Sequence, residues 1–466
     1  MKYTKISLML SLVGLTMIAT TPTSGERIWN ILAQTEDIAI TTDSKFDTIT
    51  LDFTGVFTAL QEIDNRVTQD VSKLDEISIA TFDPFIFTTA MLSKLEITQS
   101  LIAPIESSID SLDDCIGTAI TQENVGTTGF SITTPGRYFL AENITFSPAS
   151  DIPVIDIDAD EVFFDLGGFT ITQGNTQLGA IGIVVQSPHR NIVITNGTIR
   201  NMLGGGILTN SGDVSNLILR NLTILNAGIG PGASGNSADG IECLAGTNLI
   251  VDNIICDTCQ DEGLDLTTRD NGIVMDSSFS NCRGTTGGGL QVDDGAQHIL
   301  ITDCIAIANK GSGFARSGPG NNPSNVYLNC QALTNDITGF DVSACPRAVI
   351  LHSVANGNGD DGILSNSSDQ VITKNLCIGN GRNGIRITGN NDNKFIFRNT
   401  LIENGADNID ETNAGADNSY LGNYAFSSTG ANYTTAGGSV INSTAVTTSS
   451  AFSTQPAFWR NIDASP

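Results

Sequence analysis

The chain has 466 residues, enough to bury a large core and to hold two or three domains. Its formal net charge is −28 at pH 7 and its pI is about 4.2. Phosphate binding needs clustered Lys and Arg, so we expect no nucleic-acid partner. Only 15% of the residues are charged, which separates the chain from disordered acidic polymers.

The first 25 residues predict a secretory signal peptide. Lys2 and Lys5 precede an apolar run from Ile6 to Ala19, and small and polar residues follow up to Gly25. The alternative is a membrane anchor, for which this run is short. No later segment is apolar enough to span a membrane. We therefore expect cleavage near Gly25 and a product that is secreted, periplasmic or on the cell surface.

Residues 26–125 predict a helical N-terminal domain. Apolar residues recur at helical spacing from Phe57 to Ile77, and a heptad pattern follows Asp83-Pro84. The pattern predicts an αα-hairpin or a short coiled coil. It would either cap the domain that follows or join chains into a homo-oligomer or to a cell-surface partner. The heptad residues are Leu95, Ile102, Ile109 and Ile116.

Residues 126–426 repeat a glycine followed by a large apolar residue. The spacing is 22 to 26 residues, except for one interval of 34 that contains the insertion Gly228–Ser237. A further unit carries Asn408-Ile409 in place of the glycine pair. The repeat glycines are Gly182, Gly206, Gly240, Gly263, Gly289, Gly313, Gly339, Gly362 and Gly384.

Each repeat contains short apolar runs joined by Asn- and Gly-rich turns, as in HILITDCIAIANKG from His298 to Gly311. Runs of three to five residues are too short for helices and favour strands. Such a unit cannot bury its apolar face alone. Coaxial stacking would pair each strand with its copy about 4.8 Å away, so the repeats predict a parallel β-solenoid.

Eight of the nine cysteines fall within the repeats. The register puts Cys304 and Cys330 at the same coil position, and it puts Cys256 or Cys259 beside Cys282. Disulfides between neighbouring coils are geometrically possible. We favour the alternative, a column of free thiols, because packing sets the residues of a solenoid column.

The same register gathers an acidic cluster. The residue before each repeat glycine and the residue two after it point outward by strand alternation. The sequence therefore predicts a surface patch on adjacent coils, extended in a third coil. The patch consists of Asp239, Glu242, Glu262 and Asp265, with Asp293 and Asp294 as the extension.

Three interpretations of this cluster stay open. Stacking puts Glu242 about 5 Å from Asp265, close enough to raise one pKa and to separate acid from base roles. Catalysis would then use Glu242, Asp265, Asp293 and Asp294. Alternatively, Ca²⁺ would bind Asp239, Glu242, Glu262 and Asp265, and it is the one cofactor that the sequence suggests. The third interpretation is an acidic patch without chemistry.

Residues 427–466 form a tail rich in Ser, Thr, Gly and Ala. This composition predicts a loosely ordered strand or linker. Phe458 and Trp459 are expected to pack back onto the solenoid.

The repeats resemble the right-handed parallel β-helix of the pectate-lyase-like superfamily over about residues 130–425. The leading segment ITTPGRYFLAENITF (Ile132–Phe146) and VFFDLGGFTIT match its entry strands. The resemblance implies a mainly β protein, a right-handed single-stranded parallel β-helix of about ten coils with an N-terminal α-helical domain. It is specific for fold and leaves activity open.

The catalytic motifs that the resemblance implies are incomplete. Polygalacturonase-like members carry an Asp pair, Gly-His-Gly and Arg-x-Lys. Here Asp293-Asp294 matches the pair, but His298 lacks flanking glycines and Thr388 stands where the Lys would follow Arg386.

Two other family patterns are also partial. Pectate lyases use an Arg base beside calcium carboxylates, and Arg316 lies one coil beyond Asp293. Alginate-epimerase-like members use Asp-Pro-His, where this chain has Ser187-Pro188-His189. We therefore expect recognition of a polysaccharide, a surface glycan or a cell partner, with a polysaccharide lyase or glycoside hydrolase as the alternative. Aromatic and basic residues beside the acids would favour the enzyme.

Overall fold

The computed structural model describes residues 117–435, apart from gaps at 149, 176–178, 211, 231–237, 285–287, 294, 317–321, 390–392, 412–417 and 427. It also describes short strands at 41–42, 49–50, 440–441, 443–446 and 461–464. The chain divides into two units, Met1–Ile116 and Gly117–Pro466.

In the first unit, the described strands Thr41–Thr42 and Ile49–Thr50 form an antiparallel pair. The signal peptide, the helices predicted up to Ile116 and their role in oligomerisation lie outside the described residues. The second unit starts before the predicted boundary at residue 126, because Thr118–Ile120 already pairs in parallel with Gly136–Leu140. A four-residue helix, Gln122–Val125, follows, with a capping box on Thr121. No helix in the described part of the chain is long and apolar enough to cross a membrane.

The second unit is a right-handed parallel β-helix with three strands per coil. Its front sheet has 13 parallel strands. Ten of them are the predicted repeat units, and the other three, two before and one after, lack the repeat signature. The strands are Phe130–Ile132, Ile155–Ile157, Ile183–Val185, Ile207–Thr209, Ile241–Cys243, Leu264–Thr267, Gly288–Asp293, Ser312–Ala315, Phe340–Val342, Ile363–Ser365, Ile385–Ile387, Ile409–Glu411 and Tyr433–Thr435.

The other two faces of each coil form a second and a third sheet. Three long strands, Arg190–Arg200, Ser215–Leu225 and Gly246–Asp257, run through both. The second sheet also contains Thr118–Ile120, Gly136–Leu140, Val162–Asp165, Arg269–Met275, Gln297–Thr302, Val326–Leu328, Val349–Leu351, Val371–Thr373, Phe395–Phe397, Ser419–Leu421 and Val440–Ile441. The third also contains Ile144–Phe146, Thr170–Gln173, Ser278–Ser280, Ile305–Ile307, Gln331–Leu333, Val354–Asn356, Leu376–Ile378, Thr400–Ile402, Tyr424–Phe426, Ser443–Val446 and Asn461–Ala464.

The repeat glycine is required by the close approach of neighbouring coils. A Cβ atom at Gly240 would lie 2.6 Å from the carbonyl oxygen of Gly263, and one at Gly263 would lie 2.6 Å from that of Gly289. Real Cβ atoms do not approach so closely, so a side chain here would push the coils apart. The apolar residue that follows each glycine points inward, as predicted, and is buried, as Ile241 and Leu264 show.

The corners of the coils explain the abundance of Asn. Asn196, Asn221 and Asn253 have φ of 63°, 51° and 51°, in the left-handed region that Asn tolerates better than most residues. Each sits where the chain turns from the second sheet to the third. The chain therefore turns at these positions because Asn tolerates the left-handed conformation, and a longer loop is not needed.

The interior is apolar, and its cysteines are free. Phe314 stacks on Phe340 with 4.8 Å between ring centroids, and Tyr327 packs edge-on against both. All eight cysteines between residues 243 and 377 are buried and unbridged. Cys115 lies outside the described residues.

Buried asparagines form a ladder along the later coils. Asn309 Nδ2 donates to Asn335 Oδ1 at 2.9 Å, and the same bond, with the same length, repeats from each residue to the next. Each Nδ2 also donates to a backbone carbonyl, for example from Asn358 to Ala332 at 3.1 Å. The ladder consists of Asn309, Asn335, Asn358, Asn380 and Asn404.

Candidate functional site

The front sheet brings the predicted acids together. Glu242 on Ile241–Cys243 is the register partner of Asp265 on Leu264–Thr267, and Gln291 is next in the same column. Asp239 and Glu262 precede the repeat glycines of the same two coils. The predicted register between Glu242 and Asp265 is confirmed.

The prediction that this cluster lies at the surface is wrong. Asp239 is 2% exposed, Glu242 1% and Glu262 6%, and Asp293 on the third coil is 8% exposed. Asp265 is partly exposed. Strand alternation gives the direction of a side chain, but in a solenoid the residues of the coils above and below lie only about 4.8 Å away and cover it.

The carboxylates form two overlapping groups that share Asp239. In the first group, one oxygen each from Asp239, Glu242 and Asp265 lie within 4.8 Å of one another. In the second, the same holds for Asp239, Asp261 and Glu262. Asp261 was not among the predicted site residues. We call Asp239, Glu242 and Asp265 the carboxylate triad.

The second group is tied together through the backbone of Glu262. Asp239 Oδ1 accepts a 2.9 Å hydrogen bond from the N–H of Glu262. Burial, followed by the charge of Asp239, raises the pKa of Glu262 to about 10. Burial also raises the pKa of Asp239 well above its ordinary value, so the two carboxyls do not both carry a charge at neutral pH.

Glu242 has no such partner. Both of its carboxyl oxygens are buried without a hydrogen bond. Burial, followed by the charges of Asp265 and Glu262, raises its pKa to about 8. Among the described residues, no Lys, Arg or His forms an ion pair with a member of the carboxylate triad.

Asp265, unlike Glu242, accepts hydrogen bonds from neighbouring side chains. Burial, followed by the charges of Glu262 and Asp293, raises its pKa to about 8, while hydrogen bonds from Gln291 and Thr267 oppose the rise. Asp293 therefore acts on the cluster from the third coil. Asp294 lies outside the described residues. Gln291, which sequence reasoning passed over although it stands in the same column, has a buried Oε1 without a partner.

A second polar group lies further along the front face. Arg386 Nη1 lies 3.5 Å from Asp361 Oδ2, and its Nε lies 3.8 Å from Asp410 Oδ2. Arg386 and Asp410 are register partners, and Arg386 is partly exposed while Asp361 is buried. We call these three residues the Arg386 cluster. The register column of Arg386 can be read from the sequence. Its ion pairs cannot, because they depend on how far the side chains extend.

The histidines of the family motifs have structural partners. His189 bonds Asp158 through Nε2 and Asp160 through Nδ1, each at 3.0 Å, and His298 Nδ1 lies 2.8 Å from Asp270. Burial lowers the pKa of His189, but its hydrogen bonds to Asp158 and Asp160 outweigh burial and raise it overall.

Comparisons with known proteins agree with this architecture. The family model described as "Right handed beta helix region" matches residues 166–325. Two mutants of the periplasmic alginate epimerase AlgG are similar in structure. One has a TM-score of 0.52 at 12% identity, covering 74% of this chain and 83% of the epimerase. The other has 0.50 at 13%, covering 68% and 78%.

The Dettilon tailspike protein is similar at 13% identity, with a TM-score of 0.43 and coverage of 69% of this chain and 68% of the tailspike. No curated protein matches the sequence. The fold, three parallel sheets wound around one apolar axis, defines a right-handed parallel β-helix protein. The predicted right-handed parallel β-helix fold is thus confirmed.

Proposed function

We propose that the protein binds a glycan along the front sheet, with the Arg386 cluster as the centre of recognition. The observation that carries this proposal is the position of the Arg386 guanidinium between Asp361 and Asp410 on a partly exposed face. Arg386 and Asp410 are partly exposed, whereas Asp361 is buried, so Arg386 can offer N–H donors and Asp410 an acceptor to a ligand. Sugar hydroxyls donate and accept, so they match such a mixed group.

The geometry of the sheet supports an extended ligand. Asp341 stands in the same outward column two coils before Arg386, and Asp410 one coil after it. Successive coils repeat about every 4.8 Å, so polar side chains line one straight face. The fold is shared with an alginate epimerase, which is consistent with a glycan-related function.

The net charge narrows the ligand class. The chain carries 50 acidic against 22 basic residues. A polyuronate would be repelled unless cations bridged the charges, so the ligand we propose is a neutral glycan.

Binding to a panel of neutral and acidic polysaccharides tests the proposal with the full chain. Arg386→Ala should weaken binding about tenfold or more, since hydrogen bonds to a charged group are lost. The matched control is Arg382→Ala, which removes an exposed arginine paired with Asp360 at 3.0 Å on the same coil. If Arg386→Ala and Arg382→Ala bind equally well, or the wild type binds no polysaccharide, this function is refuted.

A lyase or hydrolase is the second candidate function, supported by the pKa values near 8 of Glu242 and Asp265. A carboxyl that stays protonated at neutral pH suits a general acid. Burial of Glu242 and the absence, among the described residues, of an exposed large aromatic beside the acids count against it. Reducing-sugar and unsaturated-product assays, with and without Ca²⁺, test it. Activity that Glu242→Gln or Asp265→Asn abolishes would establish the enzyme.

We propose that the chain is exported. The predicted signal peptide supports this. N-terminal sequencing of the mature protein checks it: a start near Ser24 to Glu26 is expected, whereas retention of Met1 in a cell-associated product would contradict it.

A further inference from the structure

One member of the carboxylate triad, Glu242, has no hydrogen-bond donor beside it. Glu242 is 1% exposed, and neither of its oxygens has a hydrogen-bond partner. An unpaired buried carboxylate costs several kcal/mol, so such groups are normally neutralised by a proton, a cation or a metal ion.

The spacing of the triad matches the coordination sphere of calcium. Ca²⁺ binds oxygen at about 2.3–2.6 Å, so two ligands on opposite sides of the ion lie about 5 Å apart and all others lie closer. Oxygens of Asp239, Glu242 and Asp265 lie within 4.8 Å of one another. Three carboxylates supply up to six oxygens, and Gln291 Oε1, unpartnered in the next coil, is a neutral oxygen of the kind that calcium also accepts.

The structural elements that hold the triad are rigid. Asp239 and Glu242 flank Gly240 on one coil, and Asp265 lies on the next, where Ile241 N donates to Gly263 O at 3.0 Å. Asp239 is also fixed by the backbone N–H of Glu262. The ligands are therefore positioned by the sheet before any ion arrives.

We propose that Asp239, Glu242 and Asp265 bind one Ca²⁺ ion between two adjacent coils of the solenoid. The ion supplies the partner that Glu242 lacks and ties the two coils together. This site lies four coils or more from the Arg386 cluster, and it does not depend on the glycan-binding function proposed above.

Calorimetric titration of the full chain with CaCl₂, after removal of divalent ions with a chelator, tests the proposal. One strongly bound ion per chain is expected. Glu242→Gln and Asp265→Asn should each weaken its binding about tenfold or more, because each removes a charged ligand. The matched control is Asp341→Asn in the same column, whose carboxylate already accepts from the backbone N–H of Ser343 at 2.9 Å.

The control variant should bind Ca²⁺ as the wild type does. Circular dichroism in chelator establishes that each variant is folded before titration. Absence of binding to the folded wild type would overturn the proposal, and so would equal affinities in Glu242→Gln, Asp265→Asn and the wild type. Glycan binding is tested with a different variant, Arg386→Ala. Failure of the calcium proposal is therefore distinguished from failure of the glycan proposal.

Discussion

Two regions of the same solenoid bury stacked polar side chains, but the hydrogen bonding of the two stacks differs. In the later coils, Asn309 to Asn404 form a ladder in which each amide donates to the next at 2.9 Å. In the earlier coils, Glu242 and Asp265 stack in the same way, and Glu242 has no partner. Asn carries both a donor and an acceptor, whereas a carboxylate only accepts. Stacking therefore satisfies a column of amides and leaves a column of carboxylates in need of a proton or a cation.

The largest effect is expected when a carboxylate is placed in the amide ladder. Asn358→Asp removes the bonds that Nδ2 donates to Asn380 at 2.9 Å and to Ala332 O at 3.1 Å. The new carboxylate would still accept from Asn335, but it would face the oxygens of Asn380 and Ala332 without a proton, and this buried charge should lower the free energy of unfolding by about 3–5 kcal/mol. Urea denaturation measures the change.

The control for this experiment is Asn356→Asp, two residues away at an exposed position. Surface substitutions usually change stability by no more than about 0.5 kcal/mol. Similar small effects of Asn358→Asp and Asn356→Asp would show that the ladder does not depend on its donors.

The reverse substitution places an amide in the carboxylate column. In chelator at pH 9, above the pKa of about 8 of Glu242, Glu242→Gln should raise the free energy of unfolding by about 1–3 kcal/mol, because it removes a buried charge and supplies a donor. In saturating Ca²⁺ this gain in the free energy of unfolding should shrink or reverse, since the variant lacks one of the residues that coordinate the ion. Asp341→Asn, which alters an acid with its own donor, should show no such dependence on Ca²⁺. A loss of stability for Glu242→Gln in chelator would contradict the comparison.

The smallest effect concerns carboxylates that already have a cationic partner. The folded-state pKa of His189 is raised by Asp158 and Asp160 against the effect of burial. Its contribution to stability is therefore full below the ordinary pKa of about 6.5 and is lost as the pH rises through the folded-state value. Asp160→Asn should lower the pKa of His189 and weaken this pH dependence.

NMR titration of the imidazole measures that change directly. Asp165→Asn, which removes a carboxylate that accepts from Gly167 rather than from His189, is the control. An unchanged pKa of His189 in Asp160→Asn would mean that these carboxylates do not stabilise the imidazolium.

The sequence predicted the fold where the repeat glycines determine the geometry. A glycine at which a Cβ would lie 2.6 Å from the next coil cannot be replaced without cost, so the spacing from Gly182 to Gly384 shows the register directly. The first two front strands, Phe130–Ile132 and Ile155–Ile157, and the last, Tyr433–Thr435, lack that pair, so the repeat pattern does not predict them.

The candidate site was only partly predictable. Register follows from the repeat, so the pairing of Glu242 with Asp265 was correct. Burial depends on side chains from neighbouring coils, so the exposure assigned to Glu242 was wrong. The asparagine ladder was overlooked because the Asn-Gly pairs of the repeats also fit a simple turn, as they do at Asn380.

The most direct test of the account is a double-mutant cycle on Glu242→Gln and Asp265→Asn in chelator at pH 9, above the pKa of about 8 of both carboxyls. We expect each single substitution to raise the free energy of unfolding, and the double substitution to raise it by less than the sum, with a coupling of about 1 kcal/mol or more. Additive effects, within about 0.5 kcal/mol, would show that the two carboxylates do not repel each other across the coils.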